Sequence, residues 1–169
     1  MKKILNYSIL GVIILFGVFY GYTKLSAAGE GDVAPDLEAT LVDGTSFKLS
    51  KLKGKYVLLD FWGSWCAPCL KESPELVALY KKHSGNLTVV SIALEKDSKS
   101  WKKVVSKYGY TWKNQIVDQN RFVMLSEIAR KYGVSEIPAK FLISPDGKLM
   151  GNYSFEEIDN LLSNTVSNR

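Results

Sequence analysis

The two cysteines of the chain, Cys66 and Cys69, form a Cys-x-x-Cys motif directly after the apolar run 56–62. The run is typical of a buried strand, and apolar side chains recur at helical spacing after Cys69. This order predicts that Cys66 lies at a helix N-terminus, where the dipole and free backbone N–H groups stabilise a thiolate. Cys69 follows one turn later on the same face. We therefore expect Cys66 to be the nucleophile and Cys69 the resolving thiol of a redox-active pair.

Three other roles for the pair fit the sequence less well. A structural disulfide across so short a loop would remove only about 2 kcal/mol of denatured-state entropy. A structural zinc site needs about four ligands, whereas the chain has two cysteines and one histidine, His83. Covalent haem attachment needs histidine directly after the second cysteine, and Leu70 occupies that position. We expect neither a metal nor an organic cofactor.

The N-terminal part of the chain differs in composition from the rest. Lys2 and Lys3 precede the uncharged stretch 4–23, and the next charge is Lys24. About 20 apolar residues suffice to span a bilayer, and flanking lysines stay on the cytoplasmic side. We interpret residues 1–25 as a membrane anchor that places the following domain outside the cytoplasm.

A cleaved signal peptide is the alternative, because residues 26–28 are small, as signal peptidase requires. In either case residues 26–30 are expected to form a linker and residues 31–169 a single exported domain. Disulfides persist outside the cytoplasm. Reduction or rearrangement of protein disulfides is therefore a natural task for a Cys-x-x-Cys pair in that location.

Charge argues against nucleic acid as a partner. The net charge is +5, but residues 1–25 hold three of the 22 basic residues and none of the 17 acidic residues. The remaining chain is therefore nearly neutral, and it has no basic run interleaved with aromatic residues.

The pattern of apolar residues, turns and caps predicts an α/β domain. Strands are expected at 37–42, 45–48, 56–62, 87–94, 115–117, 139–143 and 148–150, and helices at 69–80, 101–108, 125–132 and from 154 onward. The strand-helix-strand order around Cys69 implies a right-handed parallel crossover. Pro74 should kink the first helix without ending it, because the apolar spacing continues beyond it. Gly85 is expected to end that helix.

This order of elements resembles the thioredoxin fold, with a central mixed β-sheet flanked by helices. The segment 60–69, Asp-Phe-Trp-Gly-Ser-Trp-Cys-Ala-Pro-Cys, is similar to the thioredoxin active-site segment. The N-terminal hairpin, the inserted helix and strand near 98–117, the anchor and the Cys-x-x-Cys-x-x-Glu-x-Pro pattern resemble the membrane-anchored branch that includes TlpA and ResA. The resemblance covers about residues 31–166.

The resemblance also implies a substrate-binding surface. Ile137 and Pro138 correspond to the cis-proline loop that faces the disulfide and binds an extended substrate segment, and Trp65, Ala67 and Pro68 flank the cysteines. Disulfide-containing proteins are the implied substrates. A membrane or extracytoplasmic electron donor is implied as the partner that reduces the pair again.

Proton transfer needs a further group, because Cys69 must lose its proton while lying deeper than Cys66, where burial disfavours the thiolate. Asp60 lies on the apolar strand, so burial should raise its pKa towards the working range. Glu72 follows Cys69 at i+3 and shares a helix face with both cysteines. We expect Asp60 and Glu72 to be the candidate proton acceptors.

The function that these features favour is an extracytoplasmic thiol-disulfide oxidoreductase acting as a reductant. A thiol peroxidase of the peroxiredoxin type is one alternative. Those enzymes resemble one another in a Pro-x-x-x-Thr/Ser-x-x-Cys array with an arginine, whereas Gly63 stands three residues before Cys66 and the first arginine is Arg121. A non-enzymatic redox-sensing or binding module on the same fold is the other alternative, and the intact cysteine pair argues against it.

Overall fold

The computed structural model describes residues 9–18, 21 and 28–167. The predicted anchor or signal segment 1–25 therefore falls largely outside the described residues, of which 9–18 are helical. Among the described residues, none of the helices combines the length and the apolar character needed to cross a membrane.

Across residues 28–167 the chain alternates strands and helices as the sequence predicts. The strands are β1 (Glu38–Thr40), β2 (Ser46–Lys48), β3 (Tyr56–Trp62), β4 (Leu87–Leu94), β5 (Gln115–Asp118), β6 (Ala139–Ile143) and β7 (Leu149–Asn152). The α-helices of this region are α1 (Ala67–His83), α2 (Ser98–Tyr108), α3 (Glu127–Lys131) and α4 (Phe155–Ser167), with short 3-10 turns at Leu49–Lys51 and Val123–Leu125.

The central sheet is mixed and has the strand order β5-β4-β3-β6-β7. β3 pairs in parallel with β4, and β4 with β5, whereas β6 runs antiparallel to both β3 and β7. β1 and β2 form a separate antiparallel hairpin. These pairings confirm the predicted thioredoxin-like sheet, the N-terminal hairpin and the inserted helix and strand.

The alternation along β3 decides which side chains lie near the cysteines. Val57, Leu59 and Phe61 pack into the core on one face of the sheet. Leu58 and Trp62 pack on the opposite face, in the cluster that contains both cysteines. Because side chains alternate along a strand, Asp60 lies on the same face as Leu58 and Trp62 and therefore beneath the cysteine pair.

Helix α1 begins two residues earlier than predicted, at Ala67. Pro68 stands in its first turn, where a missing N–H costs no intrahelical hydrogen bond. The helix continues through Pro74, which confirms that this proline does not end it. The helix ends at His83 with Ser84 as the C-cap, so Gly85 stands directly after the cap, as expected for a glycine that closes a helix.

Helix α3 is shorter than the predicted 125–132. Ser126 is its N-cap, because the Ser126 hydroxyl accepts a hydrogen bond from Ala129 N–H at 3.0 Å. The same hydroxyl donates to Asp118 Oδ2 at 2.6 Å. This contact with the end of β5 fixes the first turn of the helix after residue 126, so the residues before it form a 3-10 turn instead.

The predicted capping box at the start of α4 is confirmed. Glu157 N–H donates to Ser154 Oγ at 3.2 Å, and Ser154 N–H donates in return to Glu157 Oε2 at 2.8 Å. Two N–H donors at this helix end that would otherwise be unpaired are thereby satisfied.

Candidate active site

The cysteine pair lies at the N-terminus of α1, as the sequence predicts. Cys66 is the N-cap residue, and the two sulfurs are joined in a disulfide. The Cys69 N–H group donates to Cys66 Sγ at 3.3 Å. In the reduced protein this N–H group and the helix dipole would stabilise a thiolate at Cys66.

The expectation that Cys69 lies deeper than Cys66 is not supported by their exposure. Cys66 is 5% exposed and Cys69 is 4% exposed. The helix start turns both residues inwards, so the surface near the disulfide is formed by their neighbours. The two cysteines therefore differ in their hydrogen bonds and in what they face rather than in solvent access.

The loop before Cys66 is held by a carboxylate that the sequence does not single out. Glu95 accepts hydrogen bonds from Ser64 N–H at 2.6 Å and from Ser64 Oγ–H at 2.8 Å. Burial raises the pKa of Glu95, and the two hydrogen bonds from Ser64 oppose that rise. The one signal in the sequence is an acidic residue placed directly after the buried strand β4. Glu95 thus links the end of β4 to the approach to the cysteines.

Trp65 is fixed above this loop with part of its ring open to solvent. Its indole N–H donates to Leu94 O at 2.7 Å, and the Arg121 guanidinium carbon lies 5.0 Å from its ring centroid. Trp65 nevertheless remains 42% exposed. A cation over one ring face and a hydrogen bond at the ring edge hold the indole in place beside Cys66.

The position three residues before Cys66 has no room for a side chain. A Cβ atom on Gly63 would lie 2.8 Å from Trp65 Nε1 and 3.1 Å from Leu94 O. The peroxiredoxin-type array places Thr or Ser there, and either residue would displace the indole. Arg121, the first arginine in the sequence, contacts the Trp65 ring. Both observations weigh against the peroxidase alternative.

The predicted cis-proline loop faces the disulfide. The Ile137–Pro138 peptide bond is cis, as expected from the resemblance. Ile137 O lies 3.8 Å from Cys66 Sγ. Ala67 and Pro68, on the other side of the disulfide, are exposed. The structure thus brings all five predicted substrate-binding residues to the vicinity of Cys66.

Asp60 is buried at the centre of the sheet, as predicted. It is 4% exposed and accepts a hydrogen bond from Ser91 Oγ–H at 3.4 Å. Ser91 is its register partner on β4 and accepts in turn from Trp112 Nε1–H at 3.0 Å. Burial raises the pKa of Asp60 to about 7, against the opposing effect of the Lys140 charge. The predicted burial of Asp60 is therefore confirmed, and burial is the largest cause that raises its pKa.

A small cleft connects Asp60 to the redox pair. It has a volume of about 10 Å³ and is lined in part by Asp60, Trp62, Cys69, Glu72 and Pro138. This volume is about that needed by one water molecule. The indole N–H of Trp62 has no hydrogen-bond partner within the described residues. Asp60 and Cys69 thus border the same water-sized space.

Glu72, the second predicted proton acceptor, lies at this cleft and is joined to a lysine that sequence reasoning misses. Lys140 Nζ lies 2.6 Å from Glu72 Oε2. Lys140 is also the register partner of Asp60 on β6 and is buried. A single basic residue in the otherwise apolar strand β6 is the one sequence signal for this lysine.

The fold and this site define a thiol-disulfide oxidoreductase of the thioredoxin type. Comparison with known proteins agrees. Residues 31–151 match the AhpC/TSA family. The thiol-disulfide oxidoreductase ResA of Bacillus thuringiensis subsp. konkukian is 33% identical over 167 residues, covering 93% of this chain and 92% of the relative. The chain therefore belongs to the AhpC/TSA family and is similar to ResA within it.

Solved structures give the same result. The thioredoxin domain of a thiol-disulfide oxidoreductase from Bacteroides vulgatus superposes with a TM-score of 0.69 at 27% identity, covering 80% of this chain and 99% of that domain. A secreted Mycobacterium tuberculosis disulfide oxidoreductase homologous to E. coli DsbE has a TM-score of 0.62 at 26% identity, with coverages of 76% and 95%. The chain is thus a thiol-disulfide oxidoreductase.

Proposed function

We propose that the protein reduces protein disulfides outside the cytoplasm, with Cys66 as the attacking thiolate and Cys69 as the resolving thiol. The observation that carries this assignment is the hydrogen bond from Cys69 N–H to Cys66 Sγ at 3.3 Å. It aims a helix N-terminus at Cys66, and a donor aimed at a sulfur favours its thiolate.

The reaction proceeds in two exchanges. The Cys66 thiolate attacks one sulfur of a substrate disulfide, which forms a mixed disulfide and releases the other substrate sulfur as a thiolate. The Cys69 thiolate then attacks Cys66 Sγ, which closes the Cys66–Cys69 disulfide and releases the second substrate thiol. The substrate disulfide gains two electrons and the cysteine pair loses two. A membrane or extracytoplasmic donor of two electrons must then reduce the pair again.

Asp60 is the proposed acceptor for the Cys69 proton, with Glu72 as a second carboxylate at the same cleft. An acid-base group works best when its pKa lies near the ambient pH, and the pKa of Asp60 is raised to about 7. The cleft of about 10 Å³ offers a path through one water from Cys69 to that carboxyl.

The exposed and half-buried groups around Cys66 are the proposed binding surface for the substrate. Trp65, Ala67 and Pro68 flank the disulfide on one side, and Ile137 and Pro138 close it on the other. The short distance from Ile137 O to Cys66 Sγ allows an extended substrate segment to pair with this loop while its sulfur reaches Cys66.

Turnover of a disulfide-bonded protein in the presence of a dithiol reductant tests the proposed activity. We expect the wild type to be active, and both Cys66→Ser and Cys69→Ser to lose catalytic turnover. Peroxide consumption at a comparable rate would support the peroxidase alternative instead. A folded protein with neither activity would support a redox-sensing or binding module.

The cellular redox state of the pair tests the direction of the reaction. Alkylation of thiols in intact cells should find Cys66 and Cys69 mainly reduced if the protein is a reductant. A pair found mainly as the disulfide would indicate an oxidase or isomerase instead.

The proposed location rests on the N-terminal sequence and on likeness to a secreted relative. We expect residues 1–25 to hold the protein in a membrane with the cysteines outside. Fractionation and labelling with a membrane-impermeant thiol reagent would test both points. A soluble mature protein that begins near Gly29 would show that the segment is a cleaved signal, and cysteines protected from the reagent would contradict an external location.

A further inference from the structure

We infer that Lys140 is a positioning residue of the redox site, whose ammonium group holds the Glu72 carboxylate at the cleft that Asp60 and Cys69 line. This role rests on the proposed function, because it concerns the proton acceptor proposed for Cys69. The role of Lys140 requires no contact with either cysteine. It acts through the two carboxyl groups.

The register of the sheet places Lys140 opposite Asp60. The two residues are direct partners in the antiparallel pairing of β3 with β6. Side chains of direct partners lie on the same face of a sheet, with Cβ atoms about 5 Å apart. Lys140 also follows the cis-proline loop by two residues. It therefore joins the substrate-facing loop to the buried carboxyl.

The ammonium group of Lys140 is held by two further contacts. Its Nζ atom lies 2.6 Å from Glu72 Oε2 and 4.8 Å from the centroid of the Phe155 ring. Only 8% of the residue is exposed. The pair is partly buried, because about a third of the Glu72 side chain is exposed, and such a pair adds little to stability. Its clearest physical effect here is therefore on the neighbouring carboxyl group.

The groups around Asp60 that are charged or can ionise come from three parts of the fold. Lys140 faces it from β6, Glu72 and Cys69 from α1, and Tyr110 from the segment after α2. Burial raises the pKa of Asp60, the Lys140 charge lowers it, and the Glu72 charge raises it. The positive charge of Lys140 and the negative charge of Glu72 therefore shift the pKa of Asp60 in opposite directions.

These opposing signs give a signature that a purely structural role would not produce. Lys140→Met removes the positive end and should raise the pKa of Asp60 by about 1. Glu72→Gln removes the negative end and frees the lysine, so it should lower the pKa of Asp60. In the double variant the pKa of Asp60 should fall between those of the two single variants. In Lys140→Arg it should stay near the wild-type value, because arginine retains the positive charge.

The carboxyl carbon of Asp60, followed by carbon-13 NMR against pH in the oxidised protein, measures this directly. Neither cysteine titrates in the disulfide form, so the Asp60 signal is free of thiol ionisation. Lys82→Met is the matched control, because Lys82 is paired with Asp159 at 2.7 Å, away from the cleft, and should leave the pKa of Asp60 unchanged.

A Lys140→Met protein that folds and keeps the wild-type pKa of Asp60 would overturn the inference. If that variant does not fold, Lys140→Gln decides, since it also removes the charge and an unchanged pKa of Asp60 in it would overturn the inference.

Kinetics separate this inference from the proposed function. In Lys140→Met the midpoint of the curve of dithiol oxidation rate against pH should move upwards. The shift should equal that of the Asp60 pKa measured by NMR. If the pKa of Asp60 shifts but the rate profile does not, the action of Lys140 on Asp60 stands and Asp60 is not the proton acceptor.

Discussion

Asp60 and Lys140 are register partners across β3 and β6, so a buried carboxyl group and a buried ammonium group share the face of the sheet that carries the redox cysteines. The lysine is in turn bound to Glu72 on α1. Asp60 and Glu72 therefore both line the cleft beside Cys69, and the Lys140 ammonium group is paired with Glu72. The proton chemistry of the site depends on how these three groups are balanced.

Asp60→Asn should make the protein more stable at neutral pH. The unfolded chain ionises Asp60 near its ordinary pKa of 3.8, whereas the folded protein does so at about 7. The free energy of unfolding of the wild type therefore falls as pH rises from about 4 to about 7, and the variant lacks this fall. The gain is at most about 4 kcal/mol above pH 7 and disappears below pH 4, since one pKa unit is worth about 1.4 kcal/mol. Urea unfolding across this range measures it.

Asp43→Asn is the control with the opposite sign. The hydrogen bond from the Thr45 hydroxyl is the main cause that lowers the pKa of Asp43. That carboxylate therefore stabilises the fold above its ordinary pKa, and the stabilisation is lost as pH falls. The variant should be less stable than the wild type at neutral pH only. Parallel stability curves for Asp60→Asn and wild type would contradict the buried, raised pKa.

Glu95→Ala should loosen the loop that carries Trp65 and Cys66. The change leaves Ser64 N–H and Oγ–H without their acceptor, which costs about 2–3 kcal/mol. Glu95→Gln keeps one amide oxygen as an acceptor and should cost less. Chemical unfolding gives the free energies, and equal losses in the two variants would show that hydrogen bonding to Ser64 is not the cause.

Trp65→Ala should weaken the binding of protein substrates with little effect on stability, because the indole is partly exposed beside Cys66. We expect KM for a disulfide-bonded protein to rise about tenfold, as for a central aromatic contact. The rate with a small disulfide reagent should change little, and Trp65→Phe should recover part of the loss. Equal losses with both substrates would indicate a role in the chemistry of Cys66 rather than in binding.

The sequence predicts most of the fold because its strongest signals are local. β3 and β4 are continuous apolar runs, and their predicted bounds match the structure. The end of α2 is also local, because Gly109 takes the left-handed conformation that favours glycine. The Cys-x-x-Cys motif is likewise a local signal, and it marks the start of α1. The burial of Asp60 follows from the apolar residues on either side of it.

The features that the sequence does not predict depend on contacts between distant segments. Lys140 meets Glu72 across 68 positions of the chain, and Glu95 meets Ser64 across 31. Neither contact has a spacing rule, because each depends on which strand lies beside β3 and on where β4 ends. The predicted start of α3 is wrong for a similar reason, since Ser126 is fixed by Asp118 on β5.

The two cysteines should react differently when each is left alone. In Cys69→Ser the Cys66 thiolate remains at the helix N-terminus, so attack on a substrate disulfide proceeds and resolution does not. In Cys66→Ser the remaining thiol is that of Cys69. It does not receive the hydrogen bond that the Cys69 N–H group donates to Cys66 Sγ in the wild type. A folded control for both is the double variant, which should form no adduct.

Mass spectrometry of each single variant after incubation with a disulfide-bonded protein tests the central claim most directly. We predict that Cys69→Ser accumulates a mixed disulfide on Cys66 that a dithiol reagent releases, and that Cys66→Ser accumulates little. A faster or more complete adduct on Cys69 would reverse the two roles. The absence of an adduct on either cysteine would contradict a thiol-disulfide exchange mechanism at this site.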